Sequence, residues 1–271
     1  MTKFIHIGFG KTGTSKLQKD IFPVLCQDIK IKYFGPEYQN EERRIYSNLL
    51  TNHVAKMMLG TKCDYLNLPK NIFISHEELS SYRDPQLFEE FAEKNLVAFG
   101  KDAHIILTIR SPKDWLSSIY LQLCAHEKPM QKPEYFFLTN TNYSERLPYA
   151  KFNIDKFSYK KIISLYQNRF DNVSVIKYED FKSLNFIKEI FQVGQSEINK
   201  YKVILNKGIV NRGFSELSFK ISWKFQSLLF LLGLSFKNKY TNESLLERSN
   251  NSFLTQKYKT KQNKGMRILN I

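Results

Sequence analysis

The sequence is short of cysteine, acidic residues, flexible linkers and long hydrophobic runs, and each shortage removes a class of protein. Its three cysteines, Cys26, Cys63 and Cys124, are an odd number, far apart and without a C-x-x-C pair. That spacing argues against a disulfide framework or a zinc site and makes a reducing cytoplasm the expected setting. The longest uncharged apolar stretch, Phe225 to Phe236, falls short of the ~20 residues that a membrane-spanning helix needs. The first residues, Met-Thr-Lys-Phe-Ile-His-Ile-Gly, carry no apolar run of signal-peptide length before glycines and Lys11 interrupt them. Internal repeats and Pro/Gly/Ser-rich linkers are also lacking, which predicts a single domain over residues 1–271 with a frayed tail near 259–271.

Acidic residues number 26 against 41 Lys and Arg, a formal net charge of +15. This imbalance calls for an anionic partner: nucleic acid, acidic lipid, polyanionic glycan or a phosphate-rich small molecule. Hydrophobic residues make up 42% of the chain and aromatics 14%, ample for a buried core and incompatible with a wholly disordered chain.

Short β-branched runs at Lys3–Gly8, Asn71–Ser75, His104–Ile109 and Val173–Tyr178 read as strands. Helical spacing follows at Thr14–Phe22, at Asp114–Cys124 and around Lys160–Arg169. Strands and helices in alternation predict an α/β fold with a central, mostly parallel sheet flanked by helices on both faces. The segment Leu217–Leu232 fits either period, and its length favours a helix.

Gly8-Phe9-Gly10-Lys11-Thr12-Gly13-Thr14-Ser15 joins the first strand to the first helix. Glycines allow the tight turn that aims successive amides inward. The helix start, the hydroxyls of Thr12, Thr14 and Ser15 and the Lys11 ammonium complete a cradle for a phosphate. A Walker A loop requires G-x-x-x-x-G-K-[S/T]. Here Gly8 and Gly13 have that spacing, but Thr14 follows and the lysine stands two places before the second glycine. A G-x-G turn after a strand also occurs in folds that bind no anion.

The string H-I-G-F-G-K-T-G-T-S-K-L-Q resembles the 5′-phosphosulfate loop of sulfotransferases that use 3′-phosphoadenosine 5′-phosphosulfate (PAPS). In motif style it is nearest the bacterial and Golgi-type carbohydrate members. Ser15 replaces their second threonine and keeps the hydroxyl. Lys16 stands where cytosolic members often carry tryptophan. A second motif of that family, R-x-P-x-D-x-x-x-S, is matched by Arg110-Ser111-Pro112-Lys113-Asp114 through Ser118. The resemblance implies a P-loop NTPase-like sulfotransferase fold, with PAPS as co-substrate, 3′-phosphoadenosine 5′-phosphate (PAP) as product and no metal. It implies that Gly10, Lys11, Thr12, Gly13, Thr14 and Ser15 hold the 5′-phosphosulfate, and that Arg110 and Ser118 hold the 3′-phosphate. Tyr178, in a Y-E-D triplet after a strand, is placed near the adenine, and Lys207 or Arg212 closes on the 3′-phosphate. Several of these residues have an ordinary structural reading as well: an arginine at a strand end, a serine on an amphipathic helix, a packing tyrosine.

Transfer of a sulfonate to a hydroxyl needs charge neutralisation at the leaving phosphate, which falls to Lys11, and a base for the hydroxyl proton. The resemblance also implies that Ser118 shares Lys11 before the acceptor binds. Candidates for the base stand at the end of the strand Phe73-Ile74-Ser75, where Glu77 is the first choice and His76 the second. Glu77 also suits the first turn of a helix. His6 and His104 lie within or at strands and read as packed groups, and His53 and His126 have no motif around them. The expected acceptor is a bacterial carbohydrate or glycolipid hydroxyl, with a small lipid or aromatic alcohol as the alternative. Tyr135, Phe136, Phe137, Tyr143 and Tyr149 suit stacking on sugar faces or a place in the core. Trp223–Phe236, flanked by Lys220, Lys224, Lys237 and Lys239, suits contact with an anionic membrane or burial as a helix. A P-loop nucleotide kinase and a basic nucleic-acid-binding protein are the readings from other classes. The first lacks the full G-x-x-x-x-G-K-[S/T] pattern, and the second lacks a basic stripe with interleaved aromatics; no nucleic-acid partner is expected.

Overall fold

The computed structural model describes residues 3–35, 50, 52–54, 56–57, 61–82, 84–126, 136–139 and 152–206. Two compact units divide the chain, Met1–Leu116 with Lys156–Asn211 and Ser117–Asp155 with Arg212–Ile271.

The first unit is built on five parallel strands. They are β1 (Lys3–His6), β2 (Lys32–Phe34), β3 (Ile72–Ser75), β4 (His104–Ile109) and β7 (Asn172–Lys177), in the spatial order β2-β3-β1-β4-β7. Phe4 pairs with Phe73 on one side and His104 on the other, so β1 is the central strand. Ile72, Phe73, Ile74 and Ser75 are all buried, as are Ile105 through Thr108, the pattern of strands covered on both faces. The expected parallel sheet with flanking helices is what the chain forms.

A helical run follows β1 and is called α1: an α-turn Thr14–Lys16, a π stretch Leu17–Ile21 and an α segment Phe22–Asp28. Pro23 stands just after the π stretch. It has no N–H for a bond back into the preceding turn, which is one place where the wider turn costs little. Leu17, Ile21, Phe22 and Leu25 of this run join Phe4, Phe73, Ile106 and Ile176 of the sheet in one buried cluster. Phe186, Ile187, Phe191, Ile198 and Tyr201 close the same cluster. They come from α5 (Asn185–Phe191) and α6 (Gln195–Asn206). A second helical layer, α2 (Phe88–Phe99) with α4 (Tyr159–Gln167), shares no residue with that cluster, and α4 packs against β4 and β7.

Helix α3 (Pro112–His126) begins in the first unit. In the second unit, β5 (Phe137–Leu138) and β6 (Phe152–Asn153) pair in parallel. Phe136 and Phe152 are 2% and 0% exposed, and Tyr120 packs edge-on against Phe136. Phe136 is therefore a core side chain, one of the two places the sequence allowed it. Tyr135, Tyr143, Tyr149, the 223–236 segment and the tail lie outside the described residues. Among the described residues no helix is long and apolar enough to cross a membrane.

Candidate functional site

The loop after β1 continues the sheet before it turns. Ile7 N–H donates to Ile106 O at 3.0 Å and Phe9 N–H to Thr108 O at 3.4 Å, so β1 stays laced to β4 as far as Phe9. Gly8 passes so close to β4 that a Cβ there would lie 2.0 Å from Thr108 Oγ1 and 2.6 Å from His6 Nε2. Only glycine fits. At Gly10 the space is taken by the Tyr82 ring, 2.5 Å from an ideal Cβ.

Thr12 has its hydroxyl on Phe9 O at 2.6 Å and its N–H on the same oxygen at 3.3 Å. The hydroxyl also meets Thr108 Oγ1 at 2.9 Å, and the side chain is fully buried. Expected among the anion donors, Thr12 is instead turned into the protein, where it closes the turn. Lys11 is exposed at φ 68° and Gly13 at φ 76°, so two residues within three adopt the left-handed region. For lysine that conformation costs about 1–2 kcal/mol, a strain of the kind that collects at ligand-binding turns. Thr14 is buried and donates its hydroxyl to Glu77 Oε1 at 2.5 Å, whereas Ser15 is exposed on the first turn of α1.

The second motif starts where β4 ends. Ser111 caps α3 with its hydroxyl near Asp114 N–H at 3.4 Å, and Pro112 is the first helical residue, a position that needs no N–H. Half-buried Arg110 sets its guanidinium carbon 5.0 Å from the centre of the Tyr178 ring, a cation–π contact worth about 0.5–1 kcal/mol at a partly exposed site. Tyr178, 38% exposed, opens the 3-10 turn Tyr178–Lys182 beyond β7. The same ring presses on Gly13, its Cε2 atom 2.4 Å from where a Cβ would stand. Tyr178 thus joins Arg110 to the β1 loop, so that the two motifs expected to bind phosphate meet on one aromatic ring. Ser118 is half-buried on α3 in the second unit. Lys207 and Arg212 lie outside the described residues.

At the end of β3, His76 N–H donates to His6 O at 3.0 Å, and the 3-10 turn Glu77–Ser80 begins. Ser80 Oγ donates to Glu77 O at 2.8 Å, and the buried Asn95 of α2 donates to Leu79 O at 2.9 Å. These bonds hold the turn that presents Glu77 to Thr14. Glu77 therefore sits in a helical first turn and against the loop at once. His76 is half-buried and burial lowers its pKa to about 4, so it is a neutral imidazole at pH 7; its Nδ1 has no hydrogen-bond partner among the described residues.

Beneath the loop lies a polar layer that the sequence pattern did not signal. His6 Nδ1 meets Ser75 Oγ at 2.6 Å, and Gln18 Nε2 donates to the same oxygen at 2.9 Å. His6 is fully buried and burial lowers its pKa to about 3, whereas buried His53 is lowered to about 4, chiefly by burial. In the unfolded chain both titrate near pH 6.5. Above that pH both states are neutral and stability has its full value. Below it the unfolded chain takes up protons that the folded chain refuses, so stability falls as the pH drops from about 6.5 toward 4. The expected slope approaches about 1.4 kcal/mol per pH unit for each histidine. Urea unfolding at pH 7 and pH 5.5, above the carboxylate range, measures it; an unchanged or higher midpoint at pH 5.5 contradicts the assignment.

No protein-family model matches the chain, and no curated protein matches it. Among solved structures, a mouse sulfotransferase, SULT7A1, complexed with PAP is similar at 15% identity, over 96% of this chain and 88% of that one, with a TM-score of 0.38. At that level of similarity the fold rests on the strand order of the chain itself.

Proposed function

We propose that this chain transfers the sulfonate group of PAPS to a hydroxyl acceptor. The observation that carries the reading is the shared Tyr178 ring, with Gly13 of the loop on it and the Arg110 guanidinium over it. A donor with phosphate groups on the 3′ and 5′ oxygens of one ribose, and a flat base beside them, suits two cationic sites next to an aromatic surface, and Lys11, Arg110 and Tyr178 supply that set. Lys11, with the loop amides including that of Thr14, would hold the phosphosulfate. Arg110 would hold the 3′-phosphate.

The acceptor oxygen forms a bond to sulfur while the bond from sulfur to the phosphate oxygen breaks in line. The hydroxyl proton passes to Glu77, and PAP leaves with the bonding electrons. Charge builds on the departing phosphate oxygen, where Lys11 neutralises it. The resemblance of the loop to carbohydrate sulfotransferases favours a glycan or glycolipid hydroxyl as acceptor, which a glycan array with labelled PAPS would identify. The single-domain organisation and the cytoplasmic setting belong to the same proposal.

Calorimetry without magnesium tests the donor. PAP is expected to bind the native chain, and Arg110→Ala to weaken it about tenfold or more, the scale of one charge-assisted hydrogen bond. Binding of magnesium–ATP with no binding of PAP would sink the proposal.

A further inference from the structure

The peptide between Gly10 and Lys11 is held from behind by the Trp115 indole. Trp115 Nε1–H donates to Gly10 O at 2.8 Å, across 105 residues of sequence. A trans peptide is planar, with its carbonyl and its N–H on opposite edges. Fixing the Gly10 carbonyl inward therefore aims the Lys11 N–H the other way. The preceding peptide follows the same rule: Thr12 holds the Phe9 carbonyl through its hydroxyl and amide, and the Gly10 N–H faces away from that tie. Among the described residues neither amide has a backbone acceptor.

Glycine itself does not keep a peptide in one orientation, because it rotates freely. The indole has to do so, and it is well fixed. Trp115 is fully buried, stacked on Phe157 at 4.7 Å and 10° between planes, and edge-on to Phe9 at 5.6 Å. Phe9 also meets Phe88 and Tyr159 edge-on, so the loop residue before Gly10 is locked in the same aromatic box. Trp115 stands five residues after Arg110 at the start of α3. Its bond therefore ties the loop to the strand end that carries the other cation.

We infer that Trp115 is a positioning residue for the anion site: its N–H sets the Gly10–Lys11 peptide so that the loop amides face a phosphate group. The inference deepens the proposed function and rests on it for the identity of the ligand, but not for the anion. The test compares three probes by calorimetry: PAP, inorganic pyrophosphate and adenosine 3′-phosphate, which lacks the group that the loop would hold. The variants are Trp115→Phe and, on a Trp223→Phe background that leaves one tryptophan, the benzothiophene analogue of tryptophan, which keeps the shape of the indole and removes only its N–H. The analogue keeps the test available where Trp115→Phe fails to fold.

Loss of the donor is expected to weaken PAP and pyrophosphate about tenfold, the value of one hydrogen bond to a buried acceptor, and to leave adenosine 3′-phosphate within about twofold. Native affinity for PAP and pyrophosphate in the analogue would overturn the inference. So would an equal loss for all three probes, which is the signature of general damage. A native chain that binds pyrophosphate but not PAP would end the sulfotransferase proposal and leave the pyrophosphate comparison to decide the role of Trp115. A native chain that binds neither ends both.

Discussion

Replacing Lys11 by alanine is expected to cut sulfonate transfer about 100- to 1,000-fold, the cost of removing one charge-stabilising donor from a reaction centre. Replacing it by glycine is expected to do the same damage with a better-tolerated backbone. Lys11 is exposed at φ 68°, so its side chain adds little packing, and its left-handed conformation carries about 1–2 kcal/mol of strain. Glycine relieves that strain but adds freedom to the unfolded chain worth about 0.5–1 kcal/mol. The two nearly cancel, so Lys11→Gly should unfold within about 1 kcal/mol of the native chain. Lys11→Ala keeps the strain and should be no more stable than Lys11→Gly. Turnover with labelled PAPS and thermal unfolding of both variants separate the roles of ammonium and backbone. Native-like turnover in either variant removes Lys11 from the chemistry. A glycine variant markedly less stable than the alanine one removes the claim of strain.

How far the sequence led depended on the kind of information required. His104–Ile109 announced itself as a central strand because six residues in a row suit burial on both faces, and the structure begins and ends it at those residues. The loop from Gly8 to Ser15 was legible because glycines, hydroxyls and a lysine cluster there for a chemical reason. The motif from Arg110 to Asp114 was legible for the same reason, and Ser111 and Pro112 do begin a helix. α2 was not anticipated, although Phe88, Phe91, Ala92 and Phe99 carry a helical period. β2 is three residues long, too short for any period to show.

The inward turn of Thr12 and the Trp115–Gly10 bond were beyond reach for a different reason. Composition says which groups a loop contains, but peptide orientation is decided by partners about a hundred residues away, Thr108 and Trp115. The spatial order of the strands is likewise a matter of long-range pairing. It places β1 between β3 and β4, and so brings Glu77, the loop and Arg110 to strand ends that neighbour one another.

Replacing Glu77 by glutamine is expected to reduce turnover by about 100- to 10,000-fold, the range of a lost general base, while PAP binding stays near the native value. The amide keeps the shape of the side chain and an oxygen for the Thr14 hydroxyl, so the 2.5 Å contact survives in kind and the loop retains its place. His76 provides the control. Its imidazole is lowered to about 4 by burial, inside the range where carboxylates ordinarily titrate. Substitution tells the two candidate bases apart. If Glu77 takes the proton, Glu77→Gln loses turnover and His76→Asn keeps most of it; if His76 takes it, the order reverses. Thr14→Val adds a further constraint, since it removes the hydroxyl that bonds the Glu77 carboxylate and leaves the carboxylate in place. Should Thr14→Val lose activity with Glu77→Gln still active, Thr14 matters as a ligand of the transferred group and Glu77 serves only to hold its hydroxyl.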